Sequence, residues 1–359
     1  MPSLFDPISY GSIDASNRVV MAPLTRCRAT KEAVPTEVMK TYYEQRATIG
    51  LIVSEATGIN RSGLGVPYAP GIWNEEQVEA WKPITKAVHD KGGKIVCQLW
   101  HMGRATHSKV TGSQPVSASP TTYPGLLHVY DGKAEPELAH ELTVAEIKDI
   151  INDYKIAAKN SLAAGFDGVQ IHAANGYLLH QFIGDDTNFR TDEYGGSLEN
   201  KLRIIKEVVT AVVEAVGADK TGIRFSTNGP IQGVFVQDNE HVYLELAKFL
   251  NEKKVAFVGL RESSESSTFM DKTTQPKIGK KFAKVFNGKS ILNQDYTREE
   301  AIKVVESGEA DAISFGRATI TNPDIVDKLK NNIPFVVRED AIKYWYSRGA
   351  EGYTVWPSK

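Results

Sequence analysis

Arg18-Val19-Val20-Met21-Ala22-Pro23-Leu24-Thr25-Arg26 is the stretch whose reading decides the fold. Its first half, Arg18 to Ala22, is a short run rich in valine with no charge inside it, as a strand covered on both faces reads. Its second half turns without a glycine. A doubly wound open sheet normally carries a glycine-rich turn after its first strand. The turn at Pro23 to Arg26 therefore favours the other way of arranging parallel strands, a closed β/α barrel.

The same kind of run recurs downstream at Leu51 to Glu55, Lys94 to Leu99, Gly168 to His172, Gly222 to Ser226, Phe257 to Arg261, Ser290 to Asn293 and Ala312 to Phe315. Amphipathic segments follow or separate them: Thr36 to Ala47, Glu75 to Lys91, Ala145 to Ala164, Leu198 to Val216, His241 to Lys253, Ile278 to Phe286, Arg298 to Ser307 and Pro323 to Lys330. Thr143 with Glu146 reads as a capping box. Asn322-Pro323 reads as an N-cap followed by a first-turn proline. Alternating strands and helices imply a parallel sheet with right-handed crossovers. Eight of them predict an α/β fold, a single (β/α)8 TIM barrel domain over 1–359.

Three stretches exceed a minimal barrel. The first 17 residues predict a hairpin leading into strand one and plugging the barrel floor. His101 to Leu142, after strand three, is a long insertion rich in Gly, Ser, Pro and His, of the kind that serves as a lid. Glu262 to Lys277 follows strand six, on the face where barrel enzymes keep their sites. No internal repeat, low-complexity tract or dividing linker is legible.

Composition narrows the class. The 359 residues are 41% hydrophobic and 24% charged, enough for a sizeable core. Lys plus Arg number 42 and Asp plus Glu 44, a net charge of −2, which gives no electrostatic case for nucleic acid or an anionic membrane. Two cysteines, Cys27 and Cys97, make no disulfide framework. No apolar run approaches the ~20 residues of a membrane span, and Met1 to Asp6 shows no secretory signal. A cytoplasmic protein is expected; no feature fixes an oligomeric state. The eight histidines lack paired metal-ligand spacing, and no Gly-x-Ser-x-Gly elbow occurs.

Chemistry concentrates in His172-Ala173-Ala174-Asn175-Gly176-Tyr177, at the C-terminal end of strand four. His172 and Asn175 can each donate a hydrogen bond. Two donors meeting on one oxygen polarise a carbonyl or nitro group and stabilise the enolate formed as hydride arrives. Tyr177 can supply a proton as a general acid. The plainer alternative is a satisfied barrel histidine and a tyrosine packed in a loop.

This segment, with Gln181-Phe182, Asn188, Arg190-Thr191-Asp192 and Tyr194-Gly195-Gly196-Ser197, resembles the old yellow enzyme family. So do Met21 to Arg26, Gln98-Leu99-Trp100-His101-Met102-Gly103-Arg104 and Gly349-Ala350-Glu351-Gly352-Tyr353, in order from Leu4 to Pro357. The resemblance implies a β/α barrel binding FMN non-covalently. It also implies a ping-pong reaction in which NADPH or NADH reduces the flavin and the flavin reduces an activated alkene. On the positions that match, it implies that Pro23, Thr25, Ala56, Gln98, Arg224, Asn293, Gly316 and Arg317 bind FMN. Thr25 would face the flavin near O4 and N5, Gln98 the pyrimidine edge, Arg224 N1 and the C2 carbonyl, and Gly316 with Arg317 the phosphate. Trp100, Tyr346 and Tyr68 would line the substrate cavity, and Tyr177, His172 and Asn175 would be catalytic. Some relatives carry cysteine where Thr25 stands; Cys27 is offset and does not inherit that role. Many are glycine-rich where this chain has Asn293-Gln294-Asp295. Two further departures are Val66 where a tyrosine is common and His180 where aspartate is.

Two other classes remain open at this point: a flavin-free barrel lyase or isomerase, for which Glu55 is the one candidate carboxylate, and a barrel that binds FMN without turnover. The purified protein is expected to show flavin absorption bands and to release free FMN on heating. A colourless protein that takes up no added FMN would return it to the flavin-free class.

Overall fold

The computed structural model describes residues 1–268 and 272–356. Positions 269–271, inside the Glu262 to Lys277 segment, and Pro357, at the end of the resemblance, lie outside the described residues. Eight parallel strands close a barrel. They are β1 (Val19–Met21), β2 (Leu51–Gly58), β3 (Ile95–Trp100), β4 (Gly168–Ala173), β5 (Thr221–Ser226), β6 (Phe257–Arg261), β7 (Lys289–Asn293) and β8 (Ala312–Phe315). Each pairs with its neighbours in chain order, and β8 returns to β1 with Ile313 opposite Val19 and Phe315 opposite Met21. The expected barrel is what forms.

β2 runs to Gly58, past the expected end at Glu55, because it contains a bulge. Val53 lies opposite Val96, but Ala56 lies opposite Gln98. One extra residue is absorbed there. The Gln98 backbone N–H donates to Ser54 Oγ at 3.0 Å. The Glu55 N–H donates to the hydroxyl of Tyr43, on the outer helix Glu37–Glu44, at 2.8 Å. A buried carboxylate breaks the apolar pattern, and the bulge is what accommodates it.

Most helices form where expected, including Leu198–Val216 and Val144–Ala163, the latter with both halves of the Thr143/Glu146 capping box. The expected helix start at Asn322-Pro323 is corrected. Asn322 ends the short helix Arg317–Thr321, and the following helix, Ile325–Asn331, begins after Asp324. The Asn322 side chain is engaged elsewhere: its Oδ1 accepts from Val336 N at 2.7 Å and its Nδ2 donates to Ala318 O at 2.8 Å. His101 to Leu142 holds the helix Ser108–Thr111 and an antiparallel hairpin, Leu127–Val129 with Gly132–Ala134, so it is not structureless. Among the described residues, no helix is long and apolar enough to cross a membrane.

The N-terminal hairpin pairs Ile8–Tyr10 with Ile13–Ala15. Its buried side chains pack with Val20, Leu51, Val96 and Ile291 in one apolar cluster, so it does plug the barrel floor. Gly11 makes its turn at φ 64°, where a Cβ would come within 2.1 Å of Asp219 O. Asn17 then fastens β1 to β2 from below. Its Oδ1 accepts from Val19 N at 3.1 Å and Gly50 N at 3.0 Å, and its Nδ2 donates to Thr48 O at 3.0 Å. Asn17→Ala strands two buried N–H groups and is expected to cost about 2–4 kcal/mol. Urea unfolding checks this; an unchanged midpoint would refute the role.

Candidate active site

The C-terminal ends of the strands enclose a cleft of about 970 Å³, open solvent included. Pro23 and Thr25 reach it from the end of β1, Asn175 and Tyr177 from β4, and Arg224 from β5. Asn293 comes from β7, Gly316 and Arg317 follow β8, and Tyr346 comes from the C-terminal tail. The structure thus brings these sequence candidates together. Ala56, Gln98, His172, Trp100 and Tyr68 are not on this wall. Gln98 is turned to Gln170, donating from Nε2 to Oε1 at 2.8 Å, and sits opposite Ala56 across β2 and β3. His172 and Trp100 stand against the Tyr177 ring edge-to-face, with centroids 5.0 and 5.3 Å away. Tyr68 lines a second cavity of about 1360 Å³, again with open solvent, which shares Tyr177 and Tyr346 with the first.

The three polar residues at the end of β4 are held from behind. His172 Nδ1 accepts from Ala174 N at 3.3 Å, which fixes the other ring nitrogen as the donor. Burial, then Arg224 and His180, holds the ring well below the usual histidine range, so it is neutral. Asn175 adopts a left-handed φ of 55°. Its Oδ1 accepts from Ser226 Oγ at 2.9 Å, which leaves Nδ2 to meet an acceptor in the cleft. Burial raises the Tyr177 phenol above its ordinary range, while a hydrogen bond with Gln232 pulls it back. His180 adds no charge here. Its ring is pushed down to about 3, first by burial and then by Arg261. Its Nδ1 accepts from Gly176 N at 2.9 Å and so pins the turn between Asn175 and Tyr177.

Across the cleft, Arg224 donates from Nη2 to Asn293 Oδ1 at 2.9 Å. Asn293 is set by its own bond from Nδ2 to Ser314 O at 2.9 Å. Burial, then the Arg261 guanidinium, works against the Arg224 charge. A guanidinium nonetheless stays protonated, so the site favours an anionic ligand edge beside it. At the far end, Arg317 bonds the Asp295 carboxylate and the Thr268 hydroxyl. Asp295 also accepts from Thr268 N at 2.9 Å. Gln294 and Asp295 hold φ of 121° and 55° without being glycine, a conformation that costs roughly 1–3 kcal/mol per residue and clusters at ligand clamps. A phosphate paired with Arg317 would have Asp295 as a neighbour of like charge. Arg261, Asp295 and Trp345, with Ala22, Leu24, Arg26, Gln294 and Ile320, complete the cleft, and Arg261 and Trp345 were not singled out in the sequence. A basic residue ending a buried strand was the available signal for Arg261, which lies opposite Asn293.

Beneath Thr25 the turn is anchored by Glu55, fully buried, whose carboxylate accepts from Arg26 N at 3.2 Å and from the Tyr43 hydroxyl at 3.3 Å. Burial pushes Glu55 up to about 7, against the lowering effect of those bonds and of Arg26 and Arg28. Burial, with Glu55 adding, also pushes the Cys27 thiol up to about 12. Cys27 lines the second cavity and not the first, in keeping with its offset from Thr25. Arg26 and Arg28 hold the tail. They donate to Trp345 O at 3.1 and 3.0 Å, Arg26 reaches Gly352 O at 3.0 Å, and Arg28 reaches Tyr344 O at 3.0 Å. Both guanidinia lie over the Tyr353 ring.

The C-terminal rim of the closed β/α barrel thus combines a buried guanidinium, oriented amides and an arginine after β8. Comparison with known proteins gives the family. The chain belongs to the NADH:flavin oxidoreductase / NADH oxidase family, whose model matches residues 3–335. It is similar to the solved old yellow enzyme homologue from Zymomonas mobilis, with 52% identity, all of both chains covered and a TM-score of 0.96. It is also similar to morphinone reductase solved in complex with tetrahydroNAD, with 38% identity, 99% of this chain and 98% of that one covered, and a TM-score of 0.91. 12-Oxophytodienoate reductase 7 of Oryza sativa subsp. japonica is 38% identical over 92% of this chain and 88% of its own. The chain is therefore an FMN-dependent oxidoreductase of the old yellow enzyme type, served by a nicotinamide donor, and the donor set of the cleft fits that cofactor.

Glu55 yields a pH prediction. Its folded pKa lies above the unfolded value, so its contribution to stability is fully present below about pH 4.5 and is lost as pH rises through about 7. Wild type is expected to lose about 2–4 kcal/mol relative to Glu55→Gln between pH 4.5 and 8. Unfolding midpoints of both proteins across that range test it. A constant difference would show that Glu55 does not titrate there.

Proposed function

We propose that this protein is an ene-reductase acting on α,β-unsaturated aldehydes, ketones, imides or nitroalkenes, with NADH or NADPH as electron source. One observation carries the reading: Asn175, with its oxygen already engaged, and the Tyr177 phenol line the cleft at the end of β4, and the neutral His172 ring stands edge-to-face against Tyr177. FMN held by this rim would supply the hydride chemistry of the reaction, with the nicotinamide as its electron source.

The remaining chemistry belongs to the chain. The ring N–H of His172 and Asn175 Nδ2 donate to the activating oxygen, where negative charge develops. A neutral donor suits this task, since it binds a carbonyl oxygen without titrating near neutral pH. Tyr177, kept protonated by burial, delivers its proton to the α-carbon. Thr25 and Arg224 would line the flavin's polar edge, and Gly316 and Arg317 its phosphate. Trp100 buttresses the Tyr177 ring and so sets the phenol's direction. Tyr346 and Tyr68 line the space for the rest of the alkene. The relatives named as reductases, morphinone reductase and 12-oxophytodienoate reductase 7, support the same reading.

Tyr177→Phe is expected to slow the alkene half-reaction by about 10²-fold or more while leaving reduction by the nicotinamide nearly unchanged. Stopped-flow measurement of each half separately decides it, and an equal loss in both would remove Tyr177 from the proton path. In parallel, His172→Ala is expected to weaken phenol binding by about tenfold. Phenol affinity equal to wild type would count against an oxygen site at His172.

A further inference from the structure

The loop after β5 makes a tight turn at Ile231 to Val234. Ile231 N donates to Val234 O at 2.9 Å, and Val234 N donates to Ile231 O at 3.0 Å. The two central residues, Gln232 and Gly233, both have left-handed φ, 52° and 69°. That is the geometry of a type I′ turn, whose first central position normally holds glycine, asparagine or aspartate. Glutamine is there against its backbone preference, and strain of this kind clusters at functional sites.

Three contacts fix this turn beside Tyr177. Arg104, buried in the insertion after β3, donates from Nη2 to Gly233 O at 2.5 Å and to Gln232 O at 3.4 Å. Gln181 ties that arginine to the turn after β4: its Oε1 accepts from Arg104 N at 3.2 Å, and its Nε2 donates to Gly176 O at 2.8 Å. Gly176 leaves no space between the two loops, since a Cβ on it would lie 2.5 Å from Ile231 O and 2.8 Å from Gln232 Cβ. The Gln232 side chain lines the second cavity together with Tyr177, and it hydrogen-bonds the phenol.

The sign of that bond matters. Burial makes the phenol hard to ionise, and Gln232 is the largest influence in the other direction, ahead of the Arg224 and Arg261 guanidinia. An influence of that sign comes from a side-chain N–H donating to the phenol oxygen. When the Tyr177 O–H bond breaks and its proton goes to the α-carbon, negative charge appears on this oxygen. A donor already in place stabilises it without reorganisation.

We propose that Gln232 is a further catalytic residue, whose side-chain amide donates to the Tyr177 phenol oxygen and stabilises the phenolate left by proton delivery, and that Arg104 is the positioning residue that holds Gln232 there. The assignment rests on the ene-reductase reading and extends it from the proton donor to the group behind it. Water entering the cavity returns the proton to Tyr177 after each turnover.

The test follows re-oxidation of the reduced holoenzyme by an enone in a stopped-flow instrument. Gln232→Gly suits the left-handed turn and removes only the side chain, so the fold is kept. It is expected to slow this half-reaction about tenfold and to raise its solvent deuterium isotope effect. Gln232→Glu, an acceptor where a donor is needed, should slow it further. The deciding readout is a double-mutant cycle. Arg104→Lys alone should slow enone reduction about threefold, yet in a Tyr177→Phe background neither Arg104→Lys nor Gln232→Gly should add a loss. A loss as large with phenylalanine as with tyrosine, or wild-type rates in Gln232→Gly, would overturn the assignment and leave the reductase reading standing. Reduced wild type that no enone re-oxidises would overturn both.

Discussion

The pairing of β8 with β1 is the contact on which everything else depends. Ile313 sits opposite Val19, Ser314 opposite Val20, and the Ala22 N–H reaches Phe315 O at 2.9 Å. That short ladder turns a curled sheet into a ring and leaves no open edge. It also decides where the chemistry is. Once the ring closes, all eight strands end on one rim, and Thr25, Asn175, Arg224, Asn293 and Arg317, drawn from five separate βα units, face a common space. The opposite rim is sealed by the N-terminal hairpin, so its interior is an apolar plug.

At the open rim the polar groups are not free to choose their orientation. Ser226 takes the Asn175 oxygen, Ser314 O takes the Asn293 amide, and Ala174 N takes one His172 nitrogen. Each lock removes one hydrogen-bonding alternative: it leaves Asn175 Nδ2 and the second His172 nitrogen as donors, and it turns the Asn293 oxygen to Arg224. Such fixed dipoles need no reorganisation when charge develops. His180 shows the same economy at one remove, spending its ring on Gly176 N and the Tyr243 hydroxyl to hold the turn that carries Asn175 and Tyr177.

Much of this was legible in the residues. Buried parallel strands are continuous apolar runs, and Phe257–Arg261 and Ala312–Phe315 stood out with their final boundaries. What escaped was of two kinds. Local pattern could not show the bulge at Ser54-Glu55, because a carboxylate inside a strand reads as the strand's end; only the reach of Tyr43 and of Arg26 N explains its burial. Nor could it show that Asn322 is occupied by Val336 and Ala318, so that its capping potential is unavailable. In the site, motif position located the residues that meet at the cleft, but not that Gln98 would face Gln170. Arg261 went unnoticed, and Asp295 stood out only as part of a stretch poor in glycine, because their significance comes from neighbours on other strands. His180, a departure from the aspartate common at its position, is neutral and pins the turn at Gly176.

The tail held by Arg26 and Arg28 has a kinetic meaning. Trp345 and Tyr346 roof the cleft, yet their anchors lie more than three hundred positions earlier in the chain. Contacts of such separation carry a high loop-closure cost, as does the pairing of β1 with β8. They are also the contacts that can release first, since the tail is joined to the ring by side-chain bonds to its carbonyls and not by a strand ladder. Partial opening of this segment would unroof both cavities while the ring stays shut. The barrel and its roof are thus held by different kinds of contact: a strand ladder closes the one, and arginine side chains bonded to backbone carbonyls hold the other.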